Sequence, residues 1–356
     1  MEHRNTFPNP IETKYDLNIA GRFKYWACII CIVLIYQFRV FLCYFVVPVL
    51  WFLRRNYDKK WNIMNLNEWK QGGKTFDHNG FPIFYRQSGL GAEVLLCLHG
   101  FPASSFDYHK IWDSLTKKFA VVAFDMIGYG FSAKPENLDY TTFEQVDVLQ
   151  SLLKNLGVSK VHILAHDYGN TITQELLARQ NEGRLAFSIE TICFMNGALF
   201  PETHRPILAQ KLLLGRAGYL FGRLIPDAAF VKSLSSVFGK NTQPSAGELA
   251  DFLALFKYNN GKRIAHKLIR YMTERTKYRE RWVAPLQTMT QPFLFINGLA
   301  DPVSGAHLVK RFREVVPHQK NIVELEGIGH FPHLETPGNI LEKFMDFNFS
   351  SDNFLS

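Results

Sequence analysis

One stretch narrows what this chain can become more than any other: Val161-His162-Ile163-Leu164-Ala165-His166-Asp167-Tyr168-Gly169-Asn170. A short apolar run ends in a small residue, passes through three residues of mixed chemistry, meets a glycine and turns at once into a helical pattern. This is the small-x-nucleophile-x-small arrangement of a sharp strand-to-helix elbow. Ala165 and Gly169 have to be small for strand and helix to pack that closely. Asp167 then sits at the apex in a strained conformation, its side chain presented at the sheet edge. A carboxylate there attacks carbon directly and gives an ester of the enzyme as intermediate. The plainer reading is an ordinary buried Asp at a strand end, and the rest of the chain has to decide between them.

The surrounding pattern supplies the sheet that such an elbow needs. Asp77-His78-Asn79-Gly80 between two apolar runs predicts a β-hairpin. Short continuous apolar runs then predict strands over 94–98, 121–124, 161–164, 191–195, 293–296 and 322–325. Helical patterns over 105–118, 142–156 and 170–179 lie between them. Buried strands alternating with helices predict an α/β fold: a mostly parallel sheet covered on both faces. The alternation breaks after the sixth strand, where some 85 residues turn helical, aromatic and basic. The expected organisation is an N-terminal tail (1–24), an apolar membrane segment (25–53), a linker (54–73), a core (74–199 and 286–356) and a helical cap (200–285) over the sheet's C-terminal edge. Open α/β sheets bind ligands at that edge.

Further chemistry falls at the same edge. His99-Gly100-Phe101-Pro102 follows a strand and places the Phe101 backbone N–H beside the elbow. With the N–H of Tyr168 it forms an oxyanion hole, and His99 and Tyr168 join Phe101 as binding residues. Asp301 follows one strand, and His330, in Gly327-Ile328-Gly329-His330-Phe331-Pro332-His333, follows the last. The roles follow from that order: Asp167 is the nucleophile, His330 the base that activates water, and Asp301 fixes the tautomer of His330. His333 competes for the base, but the glycine-rich turn directly before His330 favours the latter. The glycines of Asp125-Met126-Ile127-Gly128-Tyr129-Gly130-Phe131-Ser132 read as a structural loop rather than a phosphate site, because no helix begins there and no GK[ST] follows.

His99-Gly100-Phe101-Pro102, His166-Asp167-Tyr168-Gly169 and Gly329-His330-Phe331 together resemble the α/β-hydrolase superfamily in its epoxide hydrolase and haloalkane dehalogenase branch, over about residues 74–349. That resemblance implies an α/β-hydrolase fold and cap tyrosines that donate to an epoxide oxygen, since an alkoxide leaves poorly without an acid. Tyr271 stands about where the branch places one, and Tyr219 is the candidate for the second. The branch commonly has Trp after the nucleophile; Tyr168 there lacks the indole N–H and argues against dehalogenation. Asn196-Gly197-Ala198-Leu199-Phe200-Pro201-Glu202-Thr203-His204-Arg205-Pro206 and Arg281-Trp282-Val283 resemble one member of the superfamily more narrowly. This likeness implies an endoplasmic-reticulum membrane location.

Charge and composition bound the partners. The net charge of +8 is not gathered into one stripe. It lies around the apolar N-terminal segment and in the run from Arg275 to Arg281, which favours membrane phosphates over nucleic acid. The 29 residues of 25–53 span roughly 43 Å as a helix at about 1.5 Å per residue. This is enough for one crossing or a re-entrant wedge, and too short for a two-helix hairpin. Arg39 within it costs about 2.5–3.5 kcal/mol, which a dozen surrounding apolar residues at roughly −0.3 to −0.6 each outweigh. Five cysteines imply no disulfide framework, and Cys97 and Cys193 read as core residues. The sequence calls for no cofactor and no metal. The expected activity is a membrane-anchored, epoxide hydrolase-like reaction on a lipophilic small molecule. Two alternatives stand beside it: a binding or scaffolding protein that keeps the fold without turnover, and a lipid ester hydrolase. The last is disfavoured because Asp167 attacking an acyl carbon would give a reactive mixed anhydride.

Overall fold

The computed structural model describes residues 64–349 and Gln37. The expected tail, membrane segment and most of the linker lie outside the described residues, Gln37 excepted. Among the described residues no helix is long and apolar enough to cross a membrane. The last part of the expected linker is helical: Asn65 and Glu68 form a capping box that starts α1 (Leu66–Gln71). Trp69 of α1 is fully buried, edge-on to Trp112 with ring centroids 4.8 Å apart.

Eight strands form a single sheet: β1 (Lys74–His78), β2 (Phe81–Ser88), β3 (Val94–Leu98), β4 (Ala120–Phe124), β5 (Lys160–His166), β6 (Ser188–Met195), β7 (Phe293–Gly298) and β8 (Ile322–Leu325). Their spatial order is β1-β2-β4-β3-β5-β6-β7-β8. The β1–β2 and β2–β4 pairs are antiparallel and every later pair is parallel. Asn79 and Gly80 turn the hairpin with φ of 54° and 83°, the left-handed geometry that Asn-Gly permits. Strands β3 to β7 are buried almost throughout, as both-face coverage demands of their continuous Val, Leu, Ile and Phe runs.

Helices α2 (Trp112–Leu115), α3 (Thr142–Asn155) and α4 (Tyr168–Asn181) connect the central strands. The expected helix over 105–118 is broken. Its first half is a 3₁₀ segment (Ser105–Lys110), in which the His109 ring Nδ1–H donates to the Phe106 carbonyl and the Ile111 N–H closes on Tyr108. A side chain that takes a main-chain acceptor interrupts the i→i−4 ladder. Helix α4 starts at Tyr168, immediately after the apex residue and two residues before the expected start.

Beyond β6 follow α5 (Leu208–Leu214), α6 (Gly218–Leu224), α7 (Asp227–Ser235), α8 (Ala246–Lys257), α9 (Ala265–Leu268), α10 (Tyr271–Lys277) and α11 (Arg279–Thr288). The last of these lies against α4: Gln174 Nε2 donates to the Trp282 carbonyl at 3.0 Å, and Trp282 Nε1 to Glu175 at 2.9 Å. After the sheet resumes come α12 (Ala306–Val315), α13 (Pro332–Glu335) and α14 (Pro337–Phe349).

The elbow packs as its spacing demands. A Cβ on Gly169 would stand 2.3 Å from the Leu98 carbonyl oxygen at the end of β3. Backbone cannot yield as a side chain does. Gly169→Ala is expected to lower stability by about 1–3 kcal/mol through overpacking; an unchanged denaturant midpoint in equilibrium unfolding would show that α4 can shift away from β3.

Candidate active site

Asp167 occupies the turn between β5 and α4 with φ 47° and ψ −107°, a conformation that costs a non-glycine residue on the order of 1–3 kcal/mol. Its carboxylate is buried. The backbone N–H of Phe101 donates to Asp167 Oδ2 at 3.1 Å. Gly100 permits that approach, since a Cβ there would meet Asp167 Cβ at 2.6 Å. The Tyr168 N–H stands in the first turn of α4, where backbone donors have no intrahelical acceptor.

His330 and Asp301 are brought together as their order along the chain predicts. His330 Nδ1–H donates to Asp301 Oδ2 at 2.7 Å. The same oxygen accepts from Asn196 Nδ2 at 2.9 Å and Ser304 Oγ at 2.6 Å, while Oδ1 accepts from the Val303 N–H. Asn196 also bridges β6 to β7 by accepting from the Gly298 N–H at 2.8 Å. His166, directly before the apex, donates from Nε2 to the His330 carbonyl at 2.7 Å and so pins the backbone of the histidine.

Charge couples these groups. Burial works against protonation of His330, but Asp301 and then Asp167 outweigh it and raise its pKa to about 9. Burial likewise opposes ionisation of Asp167 and Asp301; the His330 charge prevails at both and holds them below their ordinary range. His333 is not a rival. It is buried behind His166, stacked on Tyr108 at 5.2 Å, and burial followed by His166 pushes its pKa far down.

The remaining expected site residues divide. Tyr271 is buried in the site, stacked on Tyr168 with ring centroids 4.5 Å apart, and its hydroxyl has no hydrogen-bond partner. Burial and then Asp167 push its pKa well above the usual phenol value, so it keeps its proton. The Tyr168 hydroxyl donates to Thr142, whose own hydroxyl donates to Glu274; this side chain is committed to the fold. His99 is committed likewise: Nδ1–H donates to the Gly100 carbonyl and Nε2 accepts from the Met126 N–H. With both ring nitrogens engaged it holds the turn after β3 and has none left for a substrate. Tyr219 lies outside the site, 42% exposed on α6 with Arg223 over its ring at 4.2 Å. Its helix turns Gly218 and Gly222 inward, which leaves the tyrosine facing out.

Two residues that the sequence did not single out for the site belong to it. Arg275 is 2% exposed, donates from Nη2 to the Asp167 carbonyl at 3.3 Å and stands 3.7 Å from Asp167 Oδ1. Its other donors meet Thr171 and His204 Nδ1. Further along the same basic run Arg279 pairs with Glu202 and Glu280, and Arg281 with Glu175 and Glu182. The second residue is His204. Burial, then Arg275, lowers its pKa to about 4, so its ring is neutral at pH 7. Because Nδ1 accepts from Arg275, Nε2 carries the proton, and Gln210 is its side-chain neighbour, short of a well-formed hydrogen bond. The only hint in the sequence was its place in the polar run Glu202-Thr203-His204-Arg205 at the entrance to the cap.

An apolar cavity opens above these groups. Phe101, His330 and Phe331 form its floor, and Leu213, Ile225 and Phe256 belong to its cap side. Among the described residues Asp107, His166 and His333 form a buried cluster with ligand atoms up to 4.8 Å apart. A tetrahedral site with bonds of about 2.0–2.1 Å has edges of roughly 3.4 Å.

A family model described as the alpha/beta hydrolase fold matches residues 93–337, and the chain belongs to that family. It is 39% identical over 292 residues to the mesoderm-specific transcript protein of Mus musculus, covering 79% of this chain and 87% of that one. It is 34% identical over 275 residues to LipZ of Mycobacterium tuberculosis, covering 77% and 94%. A haloalkane dehalogenase loop variant from Bradyrhizobium elkanii superimposes with a TM-score of 0.63 at 22% identity, covering 76% of this chain and 94% of the other; that likeness shows the fold alone.

After His330, Arg275 is the second cation that holds down the pKa of the carboxylate beside it. A carboxylate with a depressed pKa gives stability above its unfolded pKa and loses it as pH falls through the folded one. Arg275→Met removes one of the cations that depress Asp167. Its acid-side loss is expected to begin at higher pH, with stability at neutral pH reduced by about 3–5 kcal/mol for a broken buried pair. Carboxyl NMR titration and urea unfolding across pH check this; an unshifted Asp167 titration would show that His330 alone controls it.

Proposed function

We propose that this protein is a membrane-anchored hydrolase of lipophilic small molecules that works through an ester of Asp167, with epoxides as the best-fitting substrate class. The observation that carries the reading is an unpartnered, buried proton donor, the Tyr271 hydroxyl, joined by the neutral His204 ring, beside an ionised carboxylate on a strained apex. The apolar lining of the cavity favours a lipophilic substrate. The apolar segment 25–53 supports the anchor, and the location proposed is the endoplasmic-reticulum membrane.

The chemistry closes in two steps. An Asp167 oxygen attacks an epoxide carbon, the ring C–O bond breaks, and the alkoxide takes a proton from Tyr271 or His204. Water then gives a proton to His330 Nε2 as it attacks the ester carbonyl. The Phe101 N–H, already on Oδ2, stabilises the oxyanion. On collapse the bond from the carbonyl carbon to the substrate-bearing oxygen breaks, and His330 protonates the leaving diol oxygen. The remaining carboxylic acid proton passes to His330, which restores the resting carboxylate and imidazolium.

The charge balance gives this sequence its direction. While Asp167 is ionised it helps to keep His330 protonated. Esterification moves the charge from Asp167 to the donor that protonated the alkoxide; the His330 proton passes to that donor, and a neutral imidazole is left when a base is needed.

Two outcomes are expected. His330→Gln, exposed to a long-chain epoxide, should accumulate an adduct of the epoxide's mass on the Asp167 peptide. An unmodified peptide together with undiminished epoxide binding would favour a binding protein without turnover. In the unsubstituted enzyme, breakdown of the ester in single turnovers should accelerate with rising pH, with a midpoint below about 9; a midpoint at or above that value would contradict the charge coupling.

A further inference from the structure

Seven large apolar side chains are exposed among the described residues, and five of them fall on two adjacent cap helices: Leu208 and Leu212 on α5, and Tyr219, Leu220 and Leu224 on α6. The other two, Leu90 and Phe349, are scattered. Leu208 and Leu212 are spaced i, i+4, as are Leu220 and Leu224, so each helix turns one continuous apolar stripe outward. The exposures are high for leucine, 71% at Leu208 and 72% at Leu224. Isolated exposed leucines need no explanation, but a contiguous apolar surface on a folded domain marks a contact.

The charge carried by the segment that holds these stripes is of one sign. From Thr203 to Pro226 the chain carries Arg205, Lys211, Arg216 and Arg223 and no Asp or Glu. Lys211 and Arg216 are exposed and make no ion pair among the described residues, and Arg223 reaches Glu136 only at 3.5 Å. This differs from the run at 275–281, whose arginines are occupied by carboxylates. Apolar stripes flanked by cations, of which Lys211 and Arg216 form no ion pair among the described residues, fit a surface that is oily below and anionic at its rim.

The same helices wall the cavity. Leu213, on the inner side of α5, and Ile225, directly after α6, line the space whose floor holds Phe101 and His330. The outward stripes and the inward lining are opposite sides of one thin helical layer.

We propose that α5 and α6 form an interfacial docking surface for an anionic phospholipid bilayer. The leucines of both helices enter the acyl boundary, while Lys211, Arg216 and Arg223 meet lipid phosphates. The cavity then opens toward the bilayer, and a lipophilic molecule reaches it without crossing water. This goes beyond the catalytic reading and does not depend on it, because the surface would dock whether or not Asp167 turns over substrate.

The test uses the full chain bound to vesicles of phosphatidylcholine and phosphatidylserine whose acyl chains carry bromine. Leu220→Trp and Leu224→Trp report on the surface. Leu90→Trp, on the loop entering β3 at the sheet's opposite edge, controls for attachment by the N-terminal segment alone. The cap reporters are expected to be quenched at least about twofold more strongly than the control, as burial of about 5–10 Å into the interface requires. The excess should weaken in vesicles without phosphatidylserine. A Leu212→Trp reporter should lose it when combined with Leu220→Asp and Leu224→Asp, exposed positions at which the fold should be unaffected. Equal quenching of cap and control reporters would overturn the proposal. So would reporters shielded equally with and without bromine in a chain whose mass has doubled, because a second copy would then be the occupant.

Discussion

The arrangement depends on how closely three backbones converge at Asp167. Its left-handed φ turns the chain from β5 into α4 within one residue. The glycine after Tyr168 lets α4 lie against the end of β3, and Gly100 lets the turn after β3 bring the Phe101 N–H onto the carboxylate. A larger residue at either glycine would push a main-chain donor away from the place where negative charge collects. The strain at the apex persists because the sheet, the helix and the neighbouring turn each fix it from a different side.

A second constraint is electrostatic. Two carboxylates, one imidazole and one guanidinium are buried together, and each is tolerable only because of the others. Asp301 is held by four donors and serves as a fixed counter-charge. Asp167 has fewer partners, so its charge is the one that a reaction can remove. Once it is gone, Arg275 and His330 lose their shared neighbour, and the histidine is the group that can respond by giving up its proton.

The sheet and the elbow were legible in the sequence because period and residue size determine them locally. The strands at 94–98 and 322–325 have the expected bounds, since their apolar runs are closed by glycine turns or polar residues. The pairing of Asp301 with His330 was legible for a related reason: both stand directly after strands of a sheet whose order could be anticipated. The helix over 105–118 failed because His109 takes a main-chain acceptor, an event that no hydrophobic period encodes. Arg275 and Tyr219 failed on orientation. A short cap helix has no strong amphipathic signature, so the sequence could not show that Arg275 turns inward to Asp167 while Tyr219 turns out. His204 was hidden for another reason. Its role depends on which ring nitrogen carries the proton, and Arg275, 71 residues further along the chain, decides that.

The central claim is that Asp167, and not water, attacks the substrate carbon. The most direct measurement is a single turnover of an epoxide in ¹⁸O-water with enzyme in excess, followed by mass analysis of the Asp167 peptide and the diol. Attack of water on the ester carbonyl leaves the heavy oxygen in Asp167 and an unlabelled diol in that first turnover. Label in the diol with none in Asp167 would mean that water reaches the carbon directly, and the account would be wrong.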